Sequence, residues 1–427
     1  MSEITVNVIG AGLAGSEAAN FLANHGIKVH LYEKRPVAKS PAHHTDLFGE
    51  LVCSNSLKNK KLDNACGLLK EEIRHLGSLM MEASDHSAVP GGDSLAVDRT
   101  LFAEYITEKL KNNPNIIIHN EEVKEFPEGY CILCTGPLTD ENILNQIKSL
   151  TGSTTFGFFD ASSPIIEADS IDYSKVFKGG RYNQGEEGYI NCSMNKEQYL
   201  AFYNELINAK KAPLHEFDKQ YFEGCLPIEI IASRDVDTLR FGPLKPKGLE
   251  HDGQEFYAVV QLRQDDFAAN LYNFVGFQTN LTYGEQKRVF SMIPGLENAR
   301  YVRYGLMHRN SYVYSPKILN DDLSLKANNK IYIGGQLSGV EGYVESAACG
   351  LIAAYNLYFR LKGIEYRKLS FYSVLGSLIS YITHTGINNF KPMNANFGIV
   401  YKANKDPKDV VIERALKAID DFKSQIK

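Results

Sequence analysis

Ile4-Thr5-Val6-Asn7-Val8-Ile9-Gly10-Ala11-Gly12-Leu13-Ala14-Gly15-Ser16-Glu17-Ala18-Ala19 is the stretch that decides the fold of this chain. Residues 4–8 read as a short buried strand. Ser16 to Ala23 favours helix and ends near Gly26, and residues 27–33 read as a second strand closing on the carboxylate of Glu33. This strand–glycine turn–helix–strand–acid order is the dinucleotide-binding unit. Gly10 permits the tight turn, Gly12 lets the backbone approach a pyrophosphate, and Gly15 lets helix and strand pack closely. The helix N-terminus then faces the phosphates, and Glu33 reaches a ribose hydroxyl. Gly10, Ala11, Gly12, Leu13, Ala14, Gly15 and Glu33 are therefore candidate cofactor-binding residues.

Working outward, Asn115 to His119 is a strand, and Tyr130-Cys131-Ile132-Leu133-Cys134 is an apolar strand entering a Thr135-Gly136 turn. Lys330-Ile331-Tyr332-Ile333-Gly334-Gly335 repeats the strand-to-glycine pattern. A helix over about 344–361 follows, which places Gly335 and Gln336 beside the cofactor. This reads as the second half of a two-part FAD domain. Residues 36–62 read as a long connection, 64–83 as one helix, Pro90 to Asp93 as a turn, and 101–112 as a helix that Asp98 can cap. From 156 the character changes to short strands and loops, with an isolated helical pattern over 195–210. The expected fold is α/β: a Rossmann-like FAD-binding domain of glutathione-reductase type, discontinuous over 1–155 and 306–427, with an α+β domain inserted at 156–305.

A chain of 427 residues holds about two or three domains, and its net charge of −5 argues against a nucleic-acid coat without excluding a local basic face. No apolar run approaches a membrane span, and the first strand begins too early for a leader, so a cytoplasmic address is expected. Seven cysteines form no dense framework and read as reduced thiols. Cys131 and Cys134 sit on a strand and read as core thiols. Cys66, Cys192 and Cys349 read as packing, and no zinc spacing is present. Cys53 lies in a polar loop with Ser54, Asn55, Ser56 and Lys58, surroundings that favour a thiolate, and Cys225 lies in a turn-like Gly224-Cys225-Leu226-Pro227 segment.

Several segments, in order along nearly the whole chain, carry a resemblance. They include Gly10 to Ala19, Pro41-Ala42-His43-His44-Thr45-Asp46, Glu50-Leu51-Val52-Cys53-Ser54-Asn55-Ser56-Leu57, Leu95 to Arg99, Phe159 to Ile165, and Gly224 to Glu229. Later ones are Phe241 to Pro246, Gln261 to Gln264, Tyr272 to Thr279, Gly284 to Arg288, Met307-His308-Arg309-Asn310, Gly335 to Tyr343, and Asn394 to Gly398. Together they resemble the folate- and FAD-dependent RNA uracil-5-methyltransferases.

The resemblance implies FAD and 5,10-methylenetetrahydrofolate as cofactors, with NADH or NADPH re-reducing the flavin. The implied product is 5-methyluridine in RNA, in the tRNA T-loop first and in a ribosomal RNA uridine as the alternative. It assigns Cys225 as the nucleophile at uracil C6, which makes C5 nucleophilic, and Cys53 to general-base work or flavin protection. His43 and His44 are candidate active-site contacts, Arg309 a candidate for folate or phosphate, and Tyr343 a candidate for stacking on a flipped base. Basic residues that could meet RNA are Lys58, Lys60, Lys61, Lys245, Lys247, Lys287, Arg288, Arg300, Arg303, Lys402 and Lys405. Two other readings are weaker, because the features each would carry are not seen in the sequence. A tRNA wobble-uridine modification protein would carry a long C-terminal helical extension. A plain FAD oxidoreductase would carry a second glycine fingerprint and a redox cysteine pair. Neither the metal-ligand spacing nor the hydropathy points to a metal or a membrane.

Overall fold

The computed structural model describes residues 4–40, 42–153, 155–183, 188–213, 226–249, 251, 253–384, 386 and 390–426. Strand Thr5–Ile9 lies at the centre of a five-stranded sheet, flanked by Tyr130–Leu133 and Lys28–Glu33, with Ile331–Ile333 and Ile116–Asn120 at the edges. Every pairing in it is parallel. Parallel strands need crossovers, and the helices Leu13–Asn24 and Tyr343–Lys362 supply cover. In such sheets ligands sit beyond the carboxyl ends of the strands, and both glycine turns fall at those ends.

A six-stranded antiparallel sheet follows, ordered Val176–Lys178, Tyr189–Met194, Ala258–Gln264, Leu271–Phe274, Ile165–Glu167 and Tyr301–Arg303. The chain enters and leaves this region along an antiparallel ribbon of Thr155–Ala161 and Met307–Val313. One large hydrophobic cluster gathers residues from Val6 to Ile147 and from Tyr312 to Phe422, and a second gathers residues from Ile166 to Ala299.

Three local expectations change. The helix expected over 64–83 is two, Ala65–His75 and Leu79–His86. Gly77 takes a φ of +82°, and Ser78 caps the second helix by accepting from the Met81 N–H. The connection 36–62 contains strand Ser56–Asn59, which pairs in a three-stranded sheet with Ser94–Val97 and, beyond it, Ala88–Val89. The helical pattern over 195–210 forms Lys196–Asn208 but is not isolated, because Ile228–Ala232, Thr238–Phe241 and Tyr283–Phe290 are helical too. Among the described residues, no helix is long and apolar enough to cross a membrane.

Asp98 caps helix Arg99–Lys111, with Oδ1 accepting from the Thr100 and Leu101 N–H groups at 2.9 and 3.0 Å. Its Oδ2 accepts from the Phe267 N–H at 2.8 Å, so one carboxylate ties the nucleotide sheet's layer to the antiparallel one. Asp98→Ala is expected to cost about 2 kcal/mol from the lost cap and the orphaned amide, read as a lower thermal midpoint.

Candidate functional site

The first glycine turn is built for a ligand, glycine by glycine. Gly10 has a φ of +97°, and a Cβ there would lie 2.4 Å from the Cys134 carbonyl oxygen. A Cβ on Gly15 would lie 1.7 Å from the Gly10 carbonyl oxygen, so Gly15 lets the helix rest on the strand. A Cβ on Gly335, at φ +77°, would meet Ala14 at 2.7 Å, which seats the second turn against the first. Gly12 differs, because a Cβ there meets nothing within 4 Å. It caps a twelve-residue helix that has no side-chain cap and no acid in its first turn. An uncapped helix N-terminus facing open space is an anion site by construction.

That space is a cleft of about 1100 Å³, partly open to solvent, lined by Gly12, Leu13, Glu33, Gln336, Tyr343 and His43 among others. Glu33 closes one end. Its Oε2 accepts the Ala11 N–H at 3.0 Å, and its Oε1 accepts the Arg35 N–H and Nε–H at 3.1 and 2.8 Å. Burial opposes ionisation of Glu33, but the Arg35 hydrogen bond and charge outweigh it and hold the carboxyl below the usual range. Arg35 is fixed in turn by Glu50 at 3.2 Å. His43 accepts or donates at Nδ1 to Ser40 Oγ, 2.6 Å away, and burial, then the Arg35 charge, push it down to about 4. His43 is a neutral ring in the cleft wall, whereas His44 is exposed. These residues fit FAD: an open phosphate seat, a ribose-side carboxylate and a long, largely apolar trough.

The Cys53 loop is clamped against this cleft. The Tyr343 hydroxyl oxygen accepts from the Cys53 and Ser54 N–H groups at 2.6 and 3.1 Å. Arg99 donates from Nη1 to the Leu51 carbonyl at 3.0 Å and from Nη2 to the Cys53 carbonyl at 3.2 Å, while its Nε meets Asp265 at 2.6 Å. Arg303 donates to the carbonyls of Val52 and, at 3.3 Å, Ala42. Beneath them, buried Asn55 donates to the Val97 and Gln264 carbonyls at 3.1 and 2.9 Å and accepts from Arg263 and Asn273 at 3.0 and 2.9 Å. Arg263 also donates to Ser54 Oγ at 2.7 Å.

The sulfur itself overturns one expectation. The polar sequence around Cys53 favoured a thiolate, yet burial, with the Asp160 charge, pushes the thiol up to about 12, and Arg99 and Arg303 oppose this only in part. Its Sγ–H points at the Ala161 carbonyl, 3.5 Å away. Lys58, counted toward the thiolate, pairs instead with Glu345 at 3.1 Å. Cys225 lies outside the described residues. Cys131, Cys134, Cys192 and Cys349 are buried, and Cys66 is half-buried.

Sequence reasoning passed over Asp160, Glu341, Asn55 and Arg263. Burial, then the Asp160 charge, push Glu341 up to about 8, and Gln336 donates to it at 2.6 Å. Asp160 sits beside buried His308, 3.9 Å from its Nε2. All four lie in segments that carry the resemblance, but none stood out as a site residue there, because their burial arises from contacts distant in sequence. Tyr343 keeps its hydroxyl on the cysteine loop, so it is an anchor in this state. Several basic residues offered for RNA are occupied: Lys61 by Asp93, Arg288 by Glu205 and Glu285, and Arg300 by Glu167 and Asp169. Arg309 is exposed.

A family model described as glucose inhibited division protein A matches residues 5–365. A methylenetetrahydrofolate–tRNA-(uracil-5-)-methyltransferase TrmFO of Ligilactobacillus salivarius is 52% identical over 429 residues, covering 98% of both chains. Another of the same description, from Staphylococcus carnosus, is 51% identical over 436 residues and covers 100% of both chains. Among solved structures, GidA of Aquifex aeolicus superposes with a TM-score of 0.71 at 19% identity, covering 99% of this chain and 74% of that one. That likeness bears on the fold, which is the Rossmann-like FAD-binding architecture expected from the glycine turns.

Proposed function

This chain belongs to the glucose inhibited division protein A family and, within it, to the methylenetetrahydrofolate–tRNA-(uracil-5-)-methyltransferases, and from that premise we infer how its residues divide the work. It is a folate- and FAD-dependent enzyme that methylates uridine C5 in tRNA. We take residues 1–155 and 306–427 as the FAD-binding domain and 156–305 as the insertion, acting in the cytoplasm, where tRNA is. When bound, FAD would pass on the folate's one-carbon unit and supply the hydride that completes the methyl group, and NADH or NADPH would return those two electrons to the flavin.

The chain's own groups hold and orient. Gly10, Ala11, Gly12, Leu13, Ala14 and Gly15 form the phosphate seat, Glu33 takes the ribose end, and Gly335, seated against Ala14, brings Gln336 into the cleft wall. The observation that carries the site reading is the cysteine loop: Tyr343, Arg99 and Arg303 hold its backbone against the cleft that the glycine turn opens. Cys225, matched by resemblance, adds to uracil C6. We assign Cys53 to general-base work at C5 or to flavin protection; to act as a base its thiol must first lose its proton, which Arg99 and Arg303 favour and burial, with the Asp160 charge, opposes. Burial, with the Asp160 charge, favours the protonated form of Glu341, which accepts a hydrogen bond from the cleft residue Gln336.

The test is purified protein with methylenetetrahydrofolate and either NADH or NADPH, offered unmodified tRNA and ribosomal RNA transcripts in separate reactions. 5-Methyluridine is expected in tRNA. Methylation that draws on S-adenosylmethionine instead would overturn the mechanism, and methylation confined to ribosomal RNA would replace the substrate.

A further inference from the structure

Four aromatic rings stack in a nearly parallel ladder from the core of the antiparallel layer to its surface. Buried Phe274 faces Tyr301 at 6.4 Å and 9°, Tyr301 faces Tyr304 at 4.9 Å and 10°, and Tyr304 faces Tyr283 at 4.8 Å and 18°. Tyr283, the outermost, is 54% exposed. Two of its rings, Tyr301 and Tyr304, line a solvent-open groove together with Lys287, Arg288, Ser291 and Arg300. The mechanism uses none of these rings.

The ladder's place in the fold is what gives it meaning. Tyr304 follows Arg303, whose guanidinium holds the Val52 carbonyl next to Cys53. Tyr283 follows the stretch 278–282, which anchors both flanks of the segment that carries Cys225. On one flank the Ala212 N–H donates to the Asn280 carbonyl at 2.7 Å, and on the other the Ile228 N–H donates to the Gln278 carbonyl at 2.7 Å. Glu229 reinforces the second flank by accepting from the Asn280 N–H and the Thr279 hydroxyl at 2.8 and 2.9 Å. One aromatic column thus adjoins the anchoring points of both cysteine-bearing segments.

We propose that the exposed face of Tyr283 is a stacking platform for an unpaired RNA nucleobase that neighbours the target uridine. The proposal rests on the methyltransferase reading and deepens it. A uridine that leaves its stack to reach a cofactor exposes the faces of its neighbours, and an aromatic ring backed by three others is a rigid, sequence-tolerant replacement partner. The charges around the groove support stacking over phosphate capture. Arg288 is engaged by Glu205 and Glu285, and Arg300 by Glu167 and Asp169, so both signs alternate along the rim. Exposed Lys287 and Lys211 supply a modest positive edge.

The chain has no tryptophan, so Tyr283→Trp introduces a single indole reporter at the platform. Tyr283→Ala is expected to weaken binding of a tRNA transcript roughly tenfold, within the range for loss of one base–aromatic stack. Tyr283→Phe and Tyr283→Trp keep the affinity, and the Trp emission of the latter is quenched as the transcript is titrated in. Flavin content checks the fold of each variant. An alanine variant that binds like the unaltered protein, or an indole whose emission ignores saturating transcript, overturns the platform while leaving tRNA methylation standing. An unaltered protein that neither binds nor methylates tRNA brings down the platform together with the reading on which it rests.

Discussion

Gly12→Ala is expected to give a folded protein that purifies without yellow colour. Two glycines of the same turn differ in what surrounds them. At Gly15 an added methyl would collide with the Gly10 carbonyl oxygen at 1.7 Å, so alanine there forces helix and strand apart and lowers thermal stability. At Gly12 the added methyl meets no protein atom within 4 Å, and the backbone φ of −71° suits any residue. The chain alone therefore has no reason to object. A pyrophosphate seated on the helix N-terminus does, because the methyl occupies the space its oxygens need. The clash is expected to cost about 2–3 kcal/mol, roughly 30- to 150-fold in FAD affinity. The measurement pairs a thermal melt of apoprotein with flavin absorbance after gel filtration. A Gly12→Ala protein that keeps its flavin would move the phosphate seat elsewhere.

Cys53 is expected to resist alkylation although the sequence around it looks reactive. With the thiol pushed up to about 12 by burial, its thiolate at pH 8 is scarce. An unperturbed cysteine near 8.5 is about a quarter ionised at that pH, so Cys53 should react roughly a thousandfold more slowly with iodoacetamide than free cysteine. Peptide mass spectrometry over time gives the rate. The direction with pH also follows: labelling climbs tenfold per unit from pH 7 to pH 10 without levelling, since the raised thiol has not begun to saturate. A plateau near pH 8 would show an ordinary thiol and remove the burial argument. Cys53→Ala then separates chemistry from structure. Methylation is expected to fall about 10²- to 10⁴-fold, the usual range for loss of a positioned acid or base. Flavin stays bound, since the phosphate seat does not involve this side chain.

The nucleotide half was legible because its signals are local. Gly10, Gly12, Gly15 and Glu33 act within one βαβ unit, and the parallel sheet, the second glycine turn at Gly335 and the long helix that follows it came out close to where the residues placed them. The break at Gly77 was missed because an isolated glycine inside a helical pattern carries no sign of its φ. The strand Ser56–Asn59 was missed because its partner lies near residue 95. The environment of Cys53 was misjudged for the same physical reason. Neighbours in sequence suggested a wet, polar loop, while Asp160, Ala161, Arg303 and Tyr343, all more than a hundred residues away, crowd this half-buried residue. The ion pairs that occupy Arg288 and Arg300 are likewise three-dimensional facts that a count of basic residues does not contain.

The asparagine at position 55 takes its partners from two layers at once, Val97 on one side and Arg263, Gln264 and Asn273 on the other. A chimera that exchanges the antiparallel sheet between relatives would therefore carry away the jig in which the neighbouring sulfur is set. Such a hybrid should retain its colour and lose its turnover unless the graft brings compatible residues for positions 54 and 55 along with the strands.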